Sequence, residues 1–479
     1  MIDTIAVNVA FGETRVALIA EGRVIEVFHR RAGGASVAGS VYLGRVARVA
    51  PGLQAAFVDI GTGRDGFLNA DDARPDADAP TGAIGDYVHE GEAVLVQATR
   101  DPVAGKGARL TRRPNLPGRY LVLTPGRAGV TVSRRIDAAA ERERLAALVE
   151  TLAGANDGYV VRTAAAGVEA DDIARDAEML GALWADIEAG RRTATAPACL
   201  HDDADPLARA LRDHAGPALE RVPIDSPDAL AEARRFCERF LPAIAGRLEA
   251  YREAEPIFER FGVEAALDDA LAPGIALPSG GGLVIEETEA LVAIDVNTGR
   301  STSGDGPATL LHANLEAAAE IARQLRLRAL GGLIVIDFAH MTRAEHRRRV
   351  VEALRDALAG DRAANPPRGF TPLGLVEMTR RRSRPTLAET LCDPCSACDG
   401  EGRWKSAPSV AFEIARRLMR TAATAPPGRL TVAAAPEVAA LLSAAGAGPL
   451  AGLEAALGRT LELRESPGRA RESYDIIVG

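Results

Sequence analysis

Three residues of this chain have the types and spacing of a metal-assisted hydrolytic site: Asp295, Asn297 and Asp337. The stretches "ALVAIDVNTG" and "GGLIVIDFAHMT" (331–342) each run several aliphatic residues straight into a carboxylate. An ionised carboxylate taken from water without a partner is costly, so each must be ion-paired, hydrogen-bonded or holding a cation. Between them, residues 307–330 place Leu311, Leu315, Ala318, Ala322 and Leu325 near one face of an expected helix. A strand–helix–strand crossover makes the two strands parallel and right-handed. Parallel strands end on one edge of the sheet, where open α/β sheets carry their chemistry. Two acids 337 − 295 = 42 residues apart are therefore expected to meet in space. Carboxylates at close quarters repel, and a divalent cation such as Mg²⁺ relieves the repulsion. Asn297, two residues beyond Asp295 on the same strand face, could orient a carboxylate or a water. The sequence leaves a second possibility open, in which each acid caps a loop or pairs with one of the many arginines.

The second cluster is "LCDPCSACDGEG", with Cys392, Cys395 and Cys398 at C-x₂-C-x₂-C spacing and Gly400 and Gly402 behind them. Thiolates at this spacing followed by glycines read as a zinc knuckle, the glycines permitting the tight turn. Structural zinc takes four ligands, yet Cys199 and Cys237 lie far off in sequence and no histidine follows. One solution is two chains that each give two thiolates to a shared ion; reactive redox thiols are the competing reading.

The elements that position these residues are mixed. "MIDTIAVNVAFGETRVALIAEGRVIEVFHRR" alternates in three runs separated by turn residues, a strand meander with no export signal. Residues 37–110 hold short strands with Gly-containing turns, the pattern of a small barrel, and 71–85 reads as an exposed loop. Phe57 and Phe67 stand out where aromatics are only 4% of residues; they read either as barrel core or as a stacking platform for unpaired bases. Residues 114–203 form a further compact unit closed by the loop "TATAPACLHDDADP", 207–265 look largely helical, and 404–479 read as a small α+β unit.

At 479 residues several domains are expected. A net charge of −9 is unusual for a nucleic-acid binder, but basic residues concentrate at 322–330, 345–350 and 377–385, around the two aspartates. The alternative is that these are solvated helix faces. No apolar run is long enough to span a membrane, and three of five cysteines packed together argue for a reducing, cytoplasmic compartment.

Taken together, "LPSGGGLVIEETEALVAIDVNTG", "NLEAAAEIARQLRLRALGGLIVIDF", "LGLVEMTRRR" and "CSACDGEGR" resemble the ribonuclease E/G family, and within it the ribonuclease G branch. The resemblance implies an endoribonuclease specific for single strands, leaving 5′-phosphate and 3′-hydroxyl ends and acting in rRNA processing and mRNA decay. It places the catalytic acids on Asp295 and Asp337, holding Mg²⁺, with Asn297 in support. It places an inter-subunit Zn²⁺ link on Cys395 and Cys398, making a homodimer or homotetramer, with Cys392 an additional thiol. Phe57, Phe67 and Lys106 match RNA-contacting positions, and Arg162, Thr163 and Val122 match a 5′-monophosphate sensor. The implied architecture is multidomain α/β and α+β. Residues 1–36 with 204–268 would be an RNase H-like domain, 37–113 an inserted S1-type OB barrel and 114–203 the sensor. Residues 269–388 would be a DNase I-like catalytic domain, 389–403 the zinc link and 404–479 a small α+β domain. His312-Ala313 and the stretch "RSTSGDGPAT" depart from the family pattern near the catalytic strand. The rival readings are a non-catalytic RNA-binding or ribosome-associated protein, and a phosphoesterase acting on DNA.

Overall fold

The three alternating runs at the N-terminus fold as an antiparallel meander, Thr4–Ala10, Glu13–Ala20 and Arg23–Arg31, in the computed structural model of the chain. The structure describes residues 1–31, 36–75, 80–102, 106–154, 157–203, 205–299, 306–382, 384–396, 398, 400, 402, 404–426, 428–443, 453–454 and 457–479. The chain forms two units, Met1–Leu391 and Cys392–Gly479.

In the first unit, Val222–Ile224 and Leu248–Ala250 add to the meander as parallel strands beside Thr4–Ala10. The expectation of a largely helical 207–265 is therefore corrected. Helices Pro206–His214 and Pro227–Phe240 are present, but two three-residue strands lie among them. "VPI" and "LEA" are too short to show a period of two, and tertiary pairing decides them.

Strands Val41–Ala50, Ala55–Asp59, Gly66–Asn69, Arg109–Thr111 and Ala93–Arg100 close into a five-stranded barrel of OB type, the last pairing back onto the first. The expected loop 71–85 is partly helical, with turns at Ala70–Ala73 and Ile84–Tyr87; residues 76–79 lie outside the described residues. Asn69 caps the first turn by accepting the Asp72 N–H at 2.6 Å. The expected loop 193–206 also contains a strand, Ala198–His201, which pairs with the barrel at Val41–Leu43.

A four-stranded sheet follows, ordered Gly129–Val132, Gly158–Val161, Leu121–Thr124 and Leu116–Pro117, with helices Ala139–Leu152 and Ala170–Thr193. The last sheet of this unit is ordered Gly274–Ala276, Gly282–Glu287, Leu291–Asn297, Gly332–Asp337 and Val376–Arg380. Its third and fourth strands are parallel and are joined by helix Pro307–Leu327, as the spacing predicts. Leu311, Ala318, Ala322 and Leu325 are buried in its core, and Leu315 packs against it.

Four arginines of two of the three basic clusters turn out to be engaged internally. Glu320 binds Arg23 and Arg323, and Glu26 binds Arg326 and Arg384, which ties the crossover helix to strand Arg23–Arg31. Arg380 and Asp361 form a buried pair at 2.7 Å. Arg323, Arg326, Arg380 and Arg384 thus hold sheets and helices together, which corrects the RNA-patch and solvated-face readings for these four, whereas Arg381 and Arg382 stay exposed.

The second unit holds helices Ala407–Thr424 and Pro436–Ser443 on a sheet of Leu461–Glu465, Leu430–Ala434 and Asp475–Val478. Among the described residues no helix is long and apolar enough to cross a membrane.

Candidate active site

The alternation of the two central strands aims the acids. Val292, Ile294 and Val296 on one strand, with Ile334 and Ile336 on the next, are buried against the helices. Full burial of such a side chain contributes roughly 1.5–3 kcal/mol. Those positions lock the pleat, so Asp295, Asn297 and Asp337 emerge on the opposite face, exposed. Asp295 and Asp337 are direct register partners across the parallel pair, where strands lie about 4.8 Å apart.

Asn297 Nδ2 donates to Asp295 Oδ2 at 2.8 Å, which fixes one face of that carboxylate. Neither acid forms an ion pair with a described residue, although arginine abounds. Among the described residues the arginine-pairing alternative therefore finds no partner for either acid. Two exposed carboxylates side by side, one oriented by an amide, are a donor set that suits a hard divalent cation.

The turn after Asp337 is pinned by Asn314, a fully buried side chain that sequence reasoning passes over. Asn314 Nδ2 donates to the Ala339 carbonyl at 2.8 Å, and the Ala339 N–H donates to Asn314 Oδ1 at 3.1 Å. A polar residue inside an otherwise apolar helical face was the available signal. The preceding His312 is exposed and contacts Glu316 at 3.1 Å, while Ala313 is buried. Of the other departing stretch, residues 300–305 lie outside the described residues.

A cavity of about 260 Å³ opens over the acids, lined among others by His340, Arg347, Phe370 and Leu373. A second, of about 500 Å³, shares His340 and Met341 with it and is lined by Thr298, Thr309 and His346. Together they make a groove with the carboxylates in its floor.

On the barrel, Phe57 and Phe67 are cross-strand partners whose rings meet edge-on at 6.0 Å and 73°. Ala56, Val58 and Leu68 on either side of them fill the core, so the two phenylalanines stand on the outer surface. The core alternative for this pair is thereby corrected. The Arg48 guanidinium sits 4.6 Å over the Phe57 ring. Lys106 is exposed, and Gly107 beside it passes so near Asp65 that a Cβ would lie 1.8 Å from its carbonyl oxygen. That close approach sets Lys106 next to the strand of Phe67.

Arg162 follows strand Gly158–Val161, whose Val160 faces Val122. Its guanidinium donates to the Gly118 carbonyl and, at 2.7 Å, to Asp213 Oδ1. Asp213 also meets Arg212 at 3.2 Å and Arg362 at 3.3 Å, so three arginines surround one carboxylate. Burial opposes ionisation of Asp213, yet the Arg212 and Arg162 cations hold its pKa well below the usual range. Burial, and then the Arg162 charge, push Arg362 down from its ordinary value, a mark of dense positive potential. Thr163 Oγ1 lies 3.1 Å from Ser133 Oγ. Asp213, Arg212 and Arg362 come from remote segments, and no local motif points to them.

In the cysteine loop, Cys392 and Cys395 are exposed and Cys398 half-buried. Gly400 and Gly402 take positive φ of 86° and 68°, the turn their positions predict. The Gly402 N–H donates to Cys398 Sγ at 3.2 Å. Among the described residues no group of three or more potential ligands gathers to hold a metal ion within one chain. Cys237 is a core residue whose thiol burial pushes up to about 11.

Residues 115–383, which carry both acids, match the model of the ribonuclease E/G family. The chain belongs to the ribonuclease E/G family. Ribonuclease G of Salmonella typhimurium and that of Escherichia coli are each 38% identical over 482 residues, covering 98% of this chain and 99% of their own. Ribonuclease E of Haemophilus influenzae is 38% identical over 415 residues, 85% of this chain but 44% of its own length. The ribonuclease G proteins therefore match this family member end to end, whereas ribonuclease E extends beyond it.

Proposed function

We propose that the chain is a Mg²⁺-dependent endoribonuclease specific for single-stranded RNA, leaving 5′-phosphate and 3′-hydroxyl ends and stimulated by a 5′-monophosphate. That it is an endoribonuclease, a hydrolase of RNA phosphodiester bonds, follows from its family. The metal, the product ends and the stimulation are the finer part of the reading. What carries it is the register pairing of Asp295 and Asp337 at exposed strand ends, with Asn297 bonded to the first and neither acid ion-paired to a described residue.

Asp295 and Asp337 would hold Mg²⁺, which supplies Lewis-acid stabilisation of phosphate charge and acidifies a water. Asn297 keeps Asp295 in one orientation, and Asn314 keeps the Asp337 turn from drifting. The barrel's outward Phe57 and Phe67 offer π-faces to unpaired bases, and Lys106 offers charge to the backbone. Arg162 and its arginine neighbours offer a positive pocket to a 5′-phosphate, with Thr163 and Val122 beside it.

The meander with two added parallel strands supports an RNase H-like domain of 1–36 and 204–268. The barrel supports an S1-type insert at 37–113, ahead of a sensor at 114–203 and a DNase I-like domain at 269–388. Cys395 and Cys398 provide half of a tetrahedral Zn²⁺ site, which the same pair of a second chain would complete. The resulting homodimer or homotetramer should fall apart on thiol-selective zinc removal. The substrates are rRNA precursors and mRNA in the cytoplasm.

The deciding experiment is Asp337→Asn on a 5′-monophosphorylated single strand. Loss of about 4 kcal/mol of charge stabilisation slows cleavage roughly 10³-fold while RNA still binds. Cleavage at the parental rate would reject the reading.

A further inference from the structure

We infer that Arg347 is a catalytic residue that clamps the scissile phosphate, donating from both Nη groups to its non-bridging oxygens. The inference rests on the two-acid reading above. Arg347 lines the same cavity as Asp295 and Asp337. Its Nε donates to the Met341 carbonyl at 2.7 Å, and its guanidinium carbon lies 5.8 Å from the Phe370 ring centroid. Phe370 is itself packed beside the buried Phe338, ring centroids 6.1 Å apart. The guanidinium is thus anchored at one edge and flanked by a ring. Neither Nη group has a partner among the described residues.

The contrast with the other basic clusters sharpens the point. Arginines 323, 326, 380 and 384 are all consumed by internal carboxylates. Arg347 pairs with no carboxylate among the described residues and sits in the first turn of helix Ala344–Leu358, where a cation opposes the macrodipole. A fork-shaped donor held in an acid-lined cavity, its Nη groups without an acceptor among the described residues, matches the paired oxygens of a phosphodiester.

In hydrolysis the oxygen of a water bonds to phosphorus and the P–O3′ bond breaks. Its electron pair goes to the 3′-oxygen, which takes one proton of that water; the other is released with the new 5′-phosphate. Arg347 keeps its protons throughout and meets the charge that builds on the non-bridging oxygens.

The test uses Arg347→Met and Arg347→Lys in the full-length protein, with Asp337→Asn as the reference. Arg347→Met is expected to lower kcat about 10²-fold with melting temperature held. In EDTA, and in the Asp337→Asn background, it should reduce the slope of log Kd against log salt by about 0.7, one phosphate contact on a single strand. Arg347→Lys should restore that slope but not the rate, since a point charge lacks the fork. An unchanged slope or an unchanged kcat in Arg347→Met overturns the assignment while the acids stand. Parental cleavage by Asp337→Asn overturns the two-acid reading, and this inference with it.

Discussion

Asp295 and Asp337 face each other in register at the ends of neighbouring parallel strands, and Asn297 holds Asp295 through a 2.8 Å hydrogen bond. The acid without such a support, Asp337, relies instead on the turn that Asn314 grips from below. The two carboxylates are therefore positioned by different devices, which can be broken separately.

Asn297→Ala frees the Asp295 carboxylate to rotate. Partners that orient a metal ligand are worth about 10–100-fold in metal affinity. The Mg²⁺ concentration giving half-maximal cleavage is expected to rise about tenfold, with the rate at saturating Mg²⁺ largely recovered. A Mg²⁺ titration superimposable on the parent's would show that the hydrogen bond has no such role.

Asn314→Ala strips the Ala339 N–H and carbonyl of their partner inside the protein. An unsatisfied buried polar group costs about 1–3 kcal/mol. The variant should melt at a lower temperature and, because the turn carries Asp337, should also cleave more slowly than that loss of stability accounts for. Unaltered melting would mean that another group takes over both bonds.

Arg162→Ala should remove the preference for a 5′-monophosphate over a 5′-hydroxyl and leave cleavage of the 5′-hydroxyl substrate intact. Hydrogen bonds to charged groups contribute about 1.5–3 kcal/mol, so the preference lost is on the order of tenfold or more. Asp213 would keep Arg212 and Arg362, which protects the local fold. Equal slowing of both substrates would assign Arg162 a structural role.

His29 links stability to pH. Its side chain is 5% exposed, neither ring nitrogen has a hydrogen-bond partner among the described residues, Glu13 lies 3.9 Å from Nδ1, and burial outweighs that charge to lower its pKa to about 4. The unfolded chain takes up this proton near the ordinary pKa of about 6.5, whereas the folded chain does not. Stability is therefore whole above that value and falls as pH drops towards 4, by about 3 kcal/mol for this group. In His29→Leu the urea midpoint should decline less than the parent's over that window. A parallel decline in both proteins would show that His29 does not titrate as described.

Local pattern was enough for the outline of the sheet that carries the candidate site. The run of aliphatics into each aspartate, the 3.6-residue spacing of Leu311 to Leu325 and the one-handed crossover rule together place two acids on one edge. The turn at Gly400 and Gly402 was equally legible, because a positive φ is a single-residue property. What was out of reach depends on contacts between distant segments. The strands "VPI" and "LEA" exist only because Thr4–Ala10 offers them an edge. Phe57 and Phe67 read alike as core or platform until the barrel closed and turned them outward. The arginines at 323, 326, 380 and 384 carry the same charge as Arg347, and composition cannot tell them apart. Only the folded chain brings Glu26, Glu320 and Asp361 to the first group and leaves the last beside the acids. Alternation and helical periodicity are written into neighbouring residues, whereas the partner of a long charged side chain is chosen by whatever the fold carries to it.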